Sequence, residues 1–153
     1  MDHKAIRRRD GSVILEFEGP IDKVKLCELD LGGAVLANLD LTGVDLQFTN
    51  LRKADLSKSI LYWAHLYKAI LDEADLSYSD LRGADLKYSS LKGANLTGAL
   101  LSQDNVGGST CLHGTNLEGA NVERAQFDYA EYTRATKFPH GFDPSVHQMA
   151  KVD

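Results

Sequence analysis

Nucleophilic, acid–base or metal chemistry in this chain would have to be built from five histidines and two cysteines. His3, His65, His113, His140 and His147 are scattered along 153 residues, and Cys27 and Cys111 stand far apart. A nucleophile and its base must meet within hydrogen-bond reach, and zinc ligands usually recur as closely spaced Cys and His pairs. Neither cysteine stands in such a pattern. Gly107-Gly108 is a flexible pair without the surroundings of a phosphate loop. The expectation is no catalytic residue, no cofactor, no metal and no enzyme. The 17 basic and 22 acidic residues leave a formal net charge of −5, which favours solubility and opposes direct nucleic-acid binding.

The strongest pattern is structural. Leucine fills positions 26, 31, 36, 41, 46, 51, 56, 61, 66, 71, 76, 81, 86, 91, 96 and 101 without a gap, so that Leu26, Leu31, Leu36, Leu41, Leu46, Leu51, Leu56, Leu61, Leu66, Leu71, Leu76, Leu81, Leu86, Leu91, Leu96 and Leu101 are the expected core centres; Ile21 extends the series backwards. On an α-helix a step of five turns about 500° and scatters these side chains round the surface. On a flat strand an odd step alternates faces. A chain that turns a corner every five residues can point all of them inward. The residue two before each leucine is small in most repeats, as at Ala34, Ala54, Ala74, Ala94, Ser59 and Ser79, and glycine two after it, as at Gly33, Gly43, Gly83 and Gly93, suits corners of positive φ.

Ala54-Asp55-Leu56, Ala74-Asp75-Leu76, Ala84-Asp85-Leu86 and Ala94-Asn95-Leu96 resemble the A(D/N)LXX signature of the pentapeptide-repeat family, over about residues 21–137. The resemblance implies an all-β fold: a right-handed quadrilateral β-helix, a solenoid of about 20 residues per coil with coils stacked about 4.8 Å apart. It also points to a bacterial, cyanobacterial-type member.

Three parts are expected. Residues 1–20 form an N-terminal β-hairpin cap, with Ala5 to Arg9 and Ser12 to Glu18 joined at Asp10-Gly11. Residues 21–137 form the β-helix, with a register break near 102–111, where the period resumes one residue late at Leu112; a one-residue bulge or small loop is implied. Residues 138–153 form a C-terminal cap and tail, with a short helix starting at Asp143-Pro144 and frayed residues after Met149. Leu29 and Leu39 replace the small inward residue, so the first coils should be less regular. The cysteines lie about four coils apart, too far for a disulfide.

Residues 20 apart should share a surface column. Gly32, Arg52, Asp72, Lys92 and Gly33, Lys53, Glu73, Gly93 make a nearly neutral laddered side. Asp40, Asp45, Asp55, Asp75, Asp80 and Asp85 make an acidic surface. Tyr62 and Trp63 occupy one corner, the indole with room to lie towards Gly83 and Tyr62 above Arg82, and His65 falls between Asp45 and Asp85. With Phe48, Ile60, Tyr67, Ile70 and Tyr88 these residues make an aromatic and apolar patch, the kind of feature that marks interaction sites.

The expected function is a non-enzymatic protein-interaction module or scaffold, monomer or homodimer, that meets an unidentified protein partner through the patch. Two alternatives remain: a DNA mimic that binds DNA gyrase through the acidic columns, as the resemblance allows, and a structural role through end-to-end dimerisation. The modest charge, the laddered side and leucine centres where gyrase-active relatives carry phenylalanine disfavour the first. No apolar run is long enough for a membrane-spanning helix, and Arg7-Arg8-Arg9 precede no signal-peptide core, so the expected location is the cytoplasm.

Overall fold

In the computed structural model, which describes residues 3–153, the period of five becomes one side of a four-sided coil. Each side gives one residue to a parallel bridge with the residue 20 positions on, in four columns: Asp30, Asn50, Ile70, Ser90; Val35, Asp55, Asp75, Asn95; Asp40, Ile60, Asp80, Leu100; and Asp45, His65, Asp85. Every leucine from Leu26 to Leu101 in the five-residue series is fully buried. Most corners are closed by the small residue's N–H donating back to the leucine carbonyl, as in Ala54 to Leu51 and Ala74 to Leu71, both 3.0 Å. The residue two after the leucine has positive φ even where it is not glycine, as at Lys53 (58°), Trp63 (56°), Tyr78 (57°) and Tyr88 (58°). Such a conformation costs an L-residue about 1 kcal/mol, and the stacked hydrogen bonds on either side of the corner hold it.

The buried hydroxyls in the small inward slot behave in two ways. Ser79 Oγ donates to Leu76 O at 2.7 Å, a carbonyl that also accepts the Ser79 N–H at 3.1 Å. Thr49 Oγ1 donates across a coil to Leu26 O at 2.9 Å, and Leu26 is wholly buried with no other donor to that oxygen among the described residues. Ser79→Ala should therefore change stability by less than about 0.5 kcal/mol, whereas Thr49→Val strands a buried carbonyl and should cost about 1–3 kcal/mol. Urea denaturation of the two variants beside the native chain checks the contrast.

The N-terminal cap is a hairpin of β1 (His3–Arg7) and β2 (Val13–Glu18) with a bulge between Ile6 and Arg7. Arg8 bridges antiparallel to Ala34, and Val35 N donates to Arg7 O at 2.8 Å, so the hairpin edge continues the first coil. Ile6 is buried, and Leu15, Phe17, Leu29 and Leu39 pack against the core there, closing its open end. A short 3-10 turn at Ile21–Lys23 links hairpin and solenoid.

The C-terminal end differs from the sequence-based expectation in two places. Asp143-Pro144 begins a run of turns rather than a helix, with Asp143 Oδ1 accepting the Ser145 N–H at 2.9 Å. The residues after Met149 are paired: β4 (Ala150–Lys151) runs parallel to β3 (Glu131–Tyr132), and the Asp153 carboxylate accepts the Arg134 N–H at 2.8 Å. Beneath them Phe138 stacks on Phe142, and Phe142 on His147, over the buried Phe127.

Of the two forms the register break could take, a one-residue bulge or a small loop, the structure has the loop. Asp85 pairs with Cys111 and Ser90 with Asn116, 26 positions on, so the coil carries six extra residues. Six is one more than a side, which is why the period alone reads it as a slip of one. Thr110 takes the inward slot above Leu81, and Asp104 to Ser109 leave the wall as a loop. A further one-residue slip follows Tyr132, where Asn116 pairs with Lys137, 21 positions on. Cys27 and Cys111 are both free thiols.

Candidate functional site

The repeat supplies its own explanation of the acidic columns. The Asp or Asn before each leucine points outward, and its Oδ1 accepts the backbone N–H two residues on, at 3.0–3.2 Å, on eleven sides from Asp30 to Asn121. This closes the corner with an Asx-type turn. Asp40, Asp45, Asp55, Asp75, Asp80 and Asp85 are all among them. Several are further neutralised: Arg82 forks onto Asp80 at 2.6 and 2.9 Å, Lys87 lies 3.9 Å from Asp85, and Arg9 lies 3.5 Å from Asp55. The Asp40 carboxyl is held below its usual range by the Thr42 hydroxyl and N–H. At Asp80 partial burial pushes upward, but the Arg82 hydrogen bonds and charge outweigh it. The laddered side forms as its columns imply, with Arg52 at 2.9 Å from Asp72 and Lys53 at 3.5 Å from Glu73.

Single sides depart from this rule at Val35 and Ser90, and others beside the insertion and at the C-terminal end, but within the regular middle of the solenoid one coil departs on three successive sides. Ile60, His65 and Ile70 stand where a capping Asp or Asn stands elsewhere, and Ile60 and Ile70 are 43% and 39% exposed. The structure places His65 between Asp45 and Asp85 in its column, which Cys111 and Glu131 then continue. Two aromatic corners border this face. On one, Phe48, Tyr67 and Tyr88 make successive edge-to-face contacts at 5.5 and 5.8 Å, with the Lys68 ammonium 5.4 Å from the Tyr67 ring. Phe48 and Tyr88 are at least half exposed.

The other corner, Tyr62-Trp63, has an intramolecular partner. Asp104 Oδ2 accepts the Tyr62 hydroxyl at 2.8 Å and the Trp63 indole N–H at 2.9 Å, while its Oδ1 accepts the Val106 and Gly108 N–H groups at 2.9 and 2.6 Å. One carboxylate thus ties the six-residue loop to the corner. The indole lies over Gly83 and reaches Gly108, where a Cβ would come within 3.0 and 2.4 Å of it, so both glycines are required for the contact. Partial burial pushes the Asp104 carboxyl up, but the donors from Gly108, Tyr62, Val106 and Trp63 outweigh it and hold it below the usual range. Arg82 sits 5.9 Å from the Tyr62 ring, as the column spacing implies. The loop's role as the corner's partner left no trace in the five-residue period; an acidic residue opening the break was the only available signal.

Trp63, His65, Asp85, Cys111 and Glu131 line a hollow of about 350 Å³ beside the loop. No recognisable ligand pattern was expected around either cysteine, yet Cys111, His113 and Glu131 bring their ligand atoms within 4.8 Å of one another. The third residue comes from the next coil, so the set does not read as a closely spaced ligand motif along the chain. Burial pushes the Cys111 thiol up, opposed by the Lys87 charge and reinforced by Glu131 and Asp85. Elsewhere, His3 meets Glu18 on the hairpin and His147 stacks on Phe142 in the terminal cap.

The sequence profile described as "Pentapeptide repeats" matches residues 22–57 and 64–103 in eight copies. Among solved structures the chain is similar to a pentapeptide repeat protein from the Arabidopsis thaliana thylakoid lumen, with 31% identity over 69% of each chain and a TM-score of 0.52. It is also similar to a pentapeptide repeat protein from the cyanobacterium Cyanothece 51142, with 29% identity over 73% of this chain and 89% of that one and a TM-score of 0.50. QnrB1, a plasmid-mediated fluoroquinolone resistance protein, is 15% identical over 88% of this chain and 87% of that one with a TM-score of 0.44. No curated protein matches the chain.

Proposed function

The chain belongs to the pentapeptide-repeat family of right-handed quadrilateral β-helices, and from that premise we propose that it is a non-enzymatic binding module for a protein partner. The face used is the His65 face with its bordering residues Ile60, Ile70, Phe48, Tyr67 and Tyr88. The observation that carries this reading is the coil in which three successive turn caps give way to Ile60, His65 and Ile70. Each missing cap forgoes a local hydrogen bond, and apolar side chains stand in water instead. Local cost without local gain is the mark of a surface kept for contact. Exposed aromatics beside it supply rigid area of the kind that anchors protein interfaces.

A surface imitating a DNA duplex is the weaker reading, because the aspartates that motivate it serve as turn caps and several carry a cation. Stacking of solenoid ends is also weaker, because hairpin and terminal strand cover both ends.

The test repairs the repeat. Ile60→Asn with Ile70→Asn restores two Asx caps beside neutral or mixed neighbours, so stability should hold within about 0.5 kcal/mol or rise. Crosslinking in the native cell followed by mass spectrometry should then lose the partner captured by the native chain. An unchanged set of crosslinked proteins from the doubly substituted chain would overturn the assignment.

A further inference from the structure

We propose that Cys111, His113 and Glu131 form a three-ligand site for a borderline divalent transition metal, zinc first among them. The site goes beyond the partner-binding reading and does not depend on it. Its construction follows from the fold. In Cys111-Leu112-His113 the leucine points into the core, so the residues on either side of it face out. The next coil then stacks Glu131 directly on Cys111 through their parallel bridge. The six-residue insertion carries this pair into the column of His65 and Asp85.

Distances and donor types fit. Zinc bound to nitrogen, oxygen and sulfur at about 2.0–2.3 Å has ligand–ligand edges of about 3.3–3.8 Å in a tetrahedron. His113 Nε2 lies 3.3 Å from Glu131 Oε2, one such edge already formed. Cys111 Sγ lies 4.0 Å from the same carboxylate oxygen, and all three atoms fall within 4.8 Å, so closing on an ion needs movements of about 1 Å or less. A thiolate, an imidazole and a carboxylate together select borderline metals over calcium or magnesium. On binding, the thiol passes its proton to solvent and the sulfur lone pair goes to the metal.

The bland alternative is an ordinary His113–Glu131 pair. It does not account for the geometry: Nε2 is shut off from solvent and, despite the short distance, is out of line for a hydrogen bond, so it has no partner among the described residues. A buried imidazole nitrogen without a partner is costly, and a metal ion is the ligand that would use it together with a thiol and a carboxylate. Cys111 and Glu131 also line the hollow beside the loop, which leaves room for a fourth, exogenous ligand.

The experiment is titration of the full, tag-free chain with cobalt(II) chloride, followed by displacement with zinc chloride and metal analysis after dialysis. One equivalent should bind, with a thiolate-to-cobalt charge-transfer band and tetrahedral visible bands that zinc removes. Cys111→Ser should abolish the charge-transfer band, and Cys27→Ser should leave it intact. His113→Gln and Glu131→Gln should weaken zinc by at least the roughly 10–100-fold that loss of a mere orienting partner costs. Should Cys111→Ser misfold, those two variants decide. Substoichiometric metal in the native chain after dialysis, a band that follows Cys27, or unchanged affinity in His113→Gln and Glu131→Gln would each overturn the site. Ile60→Asn with Ile70→Asn should bind metal as the native chain does, so a failure of the partner face and a failure of the metal site are separately visible.

Discussion

Leu76→Ala is expected to destabilise the solenoid by about 2–5 kcal/mol, with the value in the upper half of that range. Leu76 lies wholly buried in the column between Leu56 and Leu96, near the middle of the stack and far from either cap. Its N–H donates to Asn95 O at 2.8 Å, and the Leu56 N–H donates to Asp75 O at 2.7 Å. Those ladders fix the spacing of the coils above and below, so the walls cannot collapse into the space left by the missing methyl groups. A cavity that persists costs more than transfer of the lost atoms alone. In a stack where each coil touches only its neighbours, a weak central interface limits the whole array. The same substitution at Leu29, which is only partly buried at the hairpin end, should cost less than half as much. Urea denaturation followed by circular dichroism makes the comparison; a loss below about 1 kcal/mol at Leu76 would mean that leucine stacking is not what holds the coils together.

What the sequence made legible was whatever repeats. Sixteen leucines at one spacing require a corner every five residues, and the columns that follow from it hold in detail: Arg52 over Asp72, His65 between Asp45 and Asp85, the Trp63 indole over Gly83. Features set by a single event were not legible. The period carries only the remainder of an insertion, so six extra residues read as one. Cys111 and Glu131, 20 residues apart and both beyond the insertion, share a column by the same rule; what no spacing shows is that their ligand atoms and that of His113 close to within 4.8 Å. The positive-φ corners at Lys53 or Tyr78 escaped because glycine is the only residue that advertises that conformation, while the geometry of neighbouring coils imposes it on others. The candidate patch was legible as a set of residues, and the division within it was not. Tyr62 and Trp63 hold the loop, whereas Phe48, Tyr67 and Tyr88 pack edge to face on one another beside the Lys68 ammonium.

That division rests on Asp104, and its removal should have the largest local effect in the molecule. Asp104→Asn keeps the size of the side chain and one carbonyl oxygen for the Val106 and Gly108 N–H groups. It turns an NH2 group towards the Trp63 indole N–H, two donors facing each other, where the carboxylate accepted at 2.9 Å. The loop should detach from the corner while the coils stay stacked, because the ladder bonds of Leu101 and Cys111 to neighbouring coils do not involve it. Trp63 is the single tryptophan, so its emission should shift to the red, its quenching by acrylamide should rise several-fold, and the Gly108 amide should lose at least about tenfold in exchange protection. Acid offers an independent route to the same state. The folded Asp104 pKa lies below its unfolded value, so the clamp's contribution is complete above the ordinary carboxylate range and disappears only as pH falls through the depressed folded value. Native Trp63 emission should hold steady from neutral pH through that ordinary range and shift below it, and the Asp104→Asn chain should show the shifted emission throughout. Native-like emission and quenching in Asp104→Asn at neutral pH would show that the loop is held by its glycines and the indole face alone, and that the carboxylate is incidental to the corner.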